Sequence, residues 1–159
     1  MTVPLSVLRV KREMETVQIG VNDELDVAYE EDGTCTLLYS MYLDEGVYKG
    51  HRYPFQIRVP DTYPFSPPKA TCIVSVLHPS IDSLGRVCMN VTREDWSLDQ
   101  GIQSVIFCLS SIFYDVPTEE PLNRDAHALF MEDPEAFKKE AERVYKSGHT
   151  TSAERPQKE

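Results

Sequence analysis

The chain has 159 residues, a formal net charge of −10, and 41% hydrophobic and 26% charged residues. That balance describes a globular chain and argues against a general nucleic-acid binder, since the phosphate backbone would be repelled. No apolar run approaches the ~18 residues that a membrane span needs, and Met1-Thr2-Val3-Pro4-Leu5 lacks a signal-peptide pattern.

A chain of this length is expected to form one domain, here residues 1–148, that buries roughly two-thirds of its unfolded surface. Ten acidic residues and no Lys or Arg lie between Glu13 and Glu45, whereas Arg9, Lys11 and Arg12 cluster just before them. The acidic run is read as a solvated face. A basic first helix beside it suggests charged protein partners.

In chain order, Val7, Val10, Met14 and Val17 repeat near helical spacing and predict an amphipathic helix over about 4–18. Strands are expected over Leu25–Glu30 and Cys35–Leu43, joined by Glu31-Asp32-Gly33-Thr34, whose Asp-Gly pair is a hairpin signal. Tyr53, Phe55, Ile57 and Val59 alternate with Pro54, Gln56 and Arg58 as a third strand with one buried face. Ala70–Leu77 is a fourth, and the prolines from Pro60 to Pro68 keep the connection between the two irregular.

His78–Trp96 has no periodic pattern and is read as an ordered irregular loop. Ile102, Val105, Ile106, Leu109, Ile112 and Phe113 then form a broad apolar stripe, the mark of a mostly buried helix. Asp115–Pro121 is a loop and Asn123–Glu132 a short helix. Asp133-Pro134 supplies an N-cap and a first-turn proline for a last helix that Gly148 ends. His149–Glu159 has no apolar anchor and is expected to be a disordered tail. The order helix, four-stranded antiparallel meander, active-site loop, C-terminal helices is α+β.

Of Cys35, Cys72, Cys88 and Cys108, three sit in apolar segments and none forms a Cys-x-x-Cys pair. This predicts buried structural thiols, one exposed reactive thiol, a reducing compartment and no zinc or other metal site. Cys88 is the candidate nucleophile, because a thiolate accepts an acyl group readily and the thioester product remains activated toward amines. A cysteine protease would need a base, and the chain offers only His51, His78, His127 and His149. A thiol whose partner brings an already activated acyl group fits these residues better.

His78-Pro79, Gly85, Cys88 and Trp96, preceded by Tyr63-Pro64-Phe65-Ser66-Pro67-Pro68-Lys69, resemble the ubiquitin-conjugating enzymes in order and spacing, over about residues 5–148. The resemblance implies that Cys88 takes an activated modifier as a thioester from an activating enzyme and passes it to a substrate lysine. It further implies a RING-type ligase as partner, no bound cofactor (ATP being used by the activating enzyme), no nucleic acid or membrane, and a cytoplasmic and nuclear setting.

In that family His78, Pro79 and Gly85 are structural parts of the active-site loop. Ser80 departs from the pattern: the family has Asn, and a serine has one donor on a shorter arm, serving either as an oxyanion donor or as a turn cap. Glu120, with Glu119 before it, stands where the family has acidic residues beside the entering lysine, and Pro117 where many members have Asn. Arg9, Lys11 and Arg12 match the face that meets the activating enzyme, and Phe65 and Leu98 the loops that meet ligases.

Within the family, Val87-Cys88-Met89-Asn90-Val91, Arg93-Glu94-Asp95-Trp96, Ile102–Ile106 and Glu120-Pro121-Leu122-Asn123 are most similar to the branch that conjugates the Nedd modifier to cullins. The proline-rich stretch is more like the ubiquitin carriers, and only a few residues precede the first helix where that branch usually has a Lys-rich extension. Neddylation of cullins is therefore the leading expectation. A ubiquitin carrier and a catalytically weak binding adaptor are the alternatives, with a thiol hydrolase behind them.

Overall fold

The computed structural model describes residues 2–89, 95–148 and 150. Its elements are α1 (Leu5–Met14), β1 (Glu24–Tyr29), β2 (Cys35–Tyr42), β3 (Arg52–Val59), β4 (Lys69–Cys72), α2 (Ile102–Tyr114), α3 (Arg124–Glu132) and α4 (Pro134–Ser147). The strands form one antiparallel sheet in sequence order, with Leu37 opposite both Val27 and Ile57, and Ile57 opposite Ala70.

Strand periodicity decides which face is buried. Cys35, Leu37, Tyr39 and Met41 of β2 and Tyr53, Phe55, Ile57 and Val59 of β3 all point to the core. Against that face lies α2, through Ile102, Val105, Ile106, Leu109 and Phe113, with the Phe113 ring 5.1 Å from Tyr53 and 5.9 Å from Phe55. Phe137 and Ala141 of α4 and Val7 and Val10 of α1 close the ends.

Two elements are shorter than the apolar pattern predicts. The first helix stops at Met14, not near residue 18. Glu15, Thr16 and Val17 turn back on Arg12 and Glu13, and the Gln103 side chain then bonds both the N–H and the C=O of Gln18, at 2.6 and 2.9 Å. Val17 is apolar because it packs on the core after the helix has ended.

The fourth strand runs over residues 69–72, not 70–77. Beyond the Phe55–Cys72 pair the next partner is Pro54, which accepts from the Ile73 N–H at 2.9 Å but has no N–H to return. The last helix starts and stops at its expected caps, and α3 is capped by Asn123. Asn123 and Asp133 accept from the N–H groups of Ala126 and Ala136, Pro134 opens α4, and Gly148 closes it in the left-handed region. Of the expected tail, Thr150 bridges Val74, and residues 149 and 151–159 lie outside the described residues.

Candidate active site

The segment before Cys88 is not irregular but a small hairpin. Ile81 bridges Val87, and the Cys88 N–H donates to the Ser80 carbonyl at 2.9 Å. At its tip the Asp82 carboxylate accepts from the N–H groups of Leu84 and Arg86 and from Arg86 Nε, while Gly85 takes φ 83°. That positive φ is why glycine suits the turn. The second half of the motif, residues 90–94, lies outside the described residues.

His78 and Pro79 anchor the hairpin from opposite sides. His78 is fully buried: its Nδ1 accepts the Ser80 N–H at 2.9 Å, and its Nε2 donates to the Ile112 carbonyl at 2.8 Å. Burial lowers its pKa to about 4, so the ring is neutral with both nitrogens engaged and has no lone pair for base chemistry. The Pro79 carbonyl accepts from both Leu122 and Asn123 at 2.9 Å, which ties the Glu119–Glu120 loop to the Cys88 hairpin.

Cys88, half-buried, lines a cleft of about 510 Å³ together with Ser80, Glu119 and Glu120. The structure thus brings together the candidate catalytic residues from two loops. Glu120 holds φ 47°, a left-handed conformation uncommon for a non-glycine residue. Ser80 is 7% exposed, and its hydroxyl makes no hydrogen bond among the described residues, which leaves it available to a ligand in the cleft.

Asp95, Gln100, Cys108 and Ser111 also line this cleft and are not predicted from the sequence. Cys108, Ser111 and Ile112 stand at i, i+3 and i+4 on α2, a second stripe beside the core stripe, and that spacing was the available signal. Among the described lining residues there are three carboxylates and no Lys, Arg or His. All four cysteines are thiols; burial raises the pKa of Cys72 to about 12 and pushes those of Cys35 and Cys108 up. No cluster of three or more His, Cys, Asp or Glu among the described residues could hold a metal ion, and no described helix is long and apolar enough to cross a membrane.

Away from the cleft, Arg9 and Leu98 meet: Arg9 Nη2 donates to the Leu98 carbonyl at 3.2 Å. Lys11 lies over the Tyr29 ring at 5.1 Å, and Arg12 is exposed. Phe65 and Leu98 expose 68% and 52% of their surface. Trp96 Nε1 donates to the Pro64 carbonyl at 3.0 Å, holding the Leu98 segment near the proline loop, in which the Tyr63–Pro64 peptide is cis.

The family model described as "Ubiquitin-conjugating enzyme" matches residues 9–145. The chain belongs to the ubiquitin-conjugating enzyme family. A solved structure of Saccharomyces cerevisiae Ubc12 superposes with a TM-score of 0.86 at 29% identity, covering 96% of this chain and 84% of that one. The meander and flanking helices are therefore the ubiquitin-conjugating enzyme fold.

Among curated relatives of this family member, the NEDD8-conjugating enzyme ubc12 of Schizosaccharomyces pombe is 38% identical over 105 residues, 66% of this chain and 59% of that protein. The NEDD8-conjugating enzyme UBC12 of Eremothecium gossypii is 34% identical over 143 residues, 89% of this chain and 77% of that protein. The match thus spans about three-fifths of the fission-yeast relative and about three-quarters of the other.

Proposed function

We propose that this chain is a conjugating enzyme for a ubiquitin-like modifier of the Nedd type, carrying the modifier as a thioester on Cys88 and delivering it to a lysine of a cullin. The observation that carries this reading is the Cys88 cleft, whose described lining residues join the Cys88 thiol, the Ser80 hydroxyl and three carboxylates and include no imidazole. His78, the buried imidazole bonded to Ser80, has both nitrogens engaged, which argues against a cysteine hydrolase.

In the loading step the Cys88 thiolate attacks the thioester carbonyl on the activating enzyme, and that enzyme's thiolate leaves. In the delivery step a lysine amine attacks the Cys88 thioester. Ser80 Oγ donates to the oxyanion, and Glu120, with Glu119, orients the amine and takes its proton as the Cys88 thiolate departs. His78, Pro79 and Gly85 hold the hairpin that presents the thiol.

Arg9, Lys11 and Arg12 form the surface for the activating enzyme, and Phe65 and Leu98 that for a RING-type ligase, acting in the cytoplasm and nucleus. The names of the relatives and the residues around Cys88 support the Nedd branch over ubiquitin.

The test is incubation with ATP and the activating enzyme for the Nedd modifier, and separately with that for ubiquitin, read as a reducible band shift on a non-reducing gel. A shift with the Nedd modifier alone, lost in Cys88→Ala, is expected. A shift with ubiquitin alone would reassign the modifier, and none with either would leave the binding adaptor.

A further inference from the structure

A second cleft, of about 420 Å³, lies between the β2–β3 connection and α4 and shares no residue with the Cys88 cleft. Lys49, Lys138 and Lys146 line it together with His51, and the one acid among its described lining residues is Glu142. In a chain of net charge −10, that is a local reversal of sign.

His51 is a built feature of this cleft. It is 8% exposed, and its ring stacks on Tyr145 at 4.1 Å and 8°. Its Nδ1 lies 2.9 Å from Tyr53 Oη. Tyr53 is fully buried and its phenol pKa is pushed up by burial, so it stays protonated; with Nδ1 as the partner of its hydroxyl, it donates there. The proton of the neutral imidazole then sits on Nε2.

Every fully buried side-chain nitrogen and oxygen among the described residues has a partner, and Nε2 has none there. It therefore keeps solvent access, and His51 is among the residues that line the cleft. The lysine charges converge on the same place: Glu142 is held by Lys146 at 3.0 Å, and its carboxyl pKa is lowered first by Lys146, with Lys138 contributing.

We infer that this cleft binds a phosphate dianion, free or as a monoester, with His51 Nε2–H at its floor and the ammonium groups of Lys49 and Lys138 at its rim. Phosphate suits the donor set better than a carboxylate does. Lysines act as point charges around a multi-oxygen dianion, whereas planar carboxylates select the fork of an arginine, and no arginine is among the described lining residues. Glu142 opposes the ligand and, by pairing with Lys146, sets how tightly it is held.

The test is an NMR titration of the full chain, following the His51 imidazole nitrogens, with inorganic phosphate in one arm and a capped phosphoserine peptide in the other, at ionic strength matched with chloride. A saturable shift of His51 Nε2 with an affinity on the order of 1 mM is expected. The doubly substituted Lys49→Gln/Lys138→Gln chain should bind at least ~10-fold more weakly, and Glu142→Gln about 3- to 10-fold more tightly, as loss or relief of one or two surface charges implies. Equal affinity in the two arms assigns the site to free phosphate, and tighter phosphoserine binding to a protein-borne one. No saturable His51 shift in either arm, or one that survives the double lysine substitution unchanged, overturns the proposal. Thioester formation on Cys88, run in parallel, reports on the other cleft alone.

Discussion

The Nε2 atom of His78 lies 2.8 Å from the carbonyl oxygen of Ile112, in the last turn of α2. That carbonyl is among the last four of the helix, which have no intrahelical N–H to accept from. One side chain therefore satisfies the helix end and, through Nδ1, fixes the backbone of Ser80, whose carbonyl holds the N–H of Cys88.

The same arrangement predicts acid sensitivity. The His78 pKa falls from an ordinary 6.5 to about 4, so the unfolded chain binds a proton in a window where the folded chain does not. Stability from this group is full above about 6.5 and is lost as pH falls toward about 4, a total of about 3 kcal/mol. Urea unfolding between these limits should show a steep decline that is about one proton shallower in His78→Gln. An identical slope in the variant would remove His78 as the cause.

A second prediction concerns Glu13. The N-cap of α2 is Gly101, which has no side chain to cap with, and Glu13 of α1 supplies the acceptor instead: Oε1 takes the Ile102 N–H at 3.0 Å and Oε2 the Tyr63 hydroxyl. A Cβ on Gly101 would collide with Oε1, so a side chain there would push the Glu13 carboxylate off its two donors, the φ of −157° being ordinary extended backbone. Glu13→Ala strands two donors and should cost about 2–3 kcal/mol in urea unfolding. Gly101→Ala should cost a comparable amount and, in the double mutant, add little to it.

Ser80 separates loading from delivery. Under the proposed mechanism, Ser80→Ala should leave thioester formation on Cys88 unchanged and slow single-turnover discharge to free lysine by at least ~10-fold, since an oxyanion donor is lost. Ser80→Asn should retain or raise discharge. Equal discharge rates in all three chains would make Ser80 a turn residue only.

Glu120 can be tested by separating its carboxylate from its backbone. Glu120→Gln keeps the side-chain shape at φ 47°, removes the charge, and should slow discharge to lysine by roughly 10²-fold with thioester formation intact. Glu120→Gly suits the left-handed backbone and should lose the same rate without a loss of stability. Discharge unaffected in Glu120→Gln would pass the role to Glu119 or Asp95.

Much of this molecule is legible along the chain, because the signals are local. Alternation in β2 and β3, the stripe of α2, and the Asn123, Asp133 and Gly148 caps depend only on near neighbours. So does the choice of Cys88, whose flanking residues carry a family pattern. What the chain alone left unread depends on partners distant in sequence. Pro54 ends β4 because it lies opposite Ile73 and has no N–H, and Gln103 ends the path of α1 from 85 residues away. Asp95 and Cys108 join the Cys88 cleft, and His51 meets Lys138, only where loops and helices pack. Local patterning determined the elements and the nucleophile; tertiary packing decided where those elements stop and which charges surround the two clefts, because hydrogen-bond satisfaction and electrostatics act between neighbours in space.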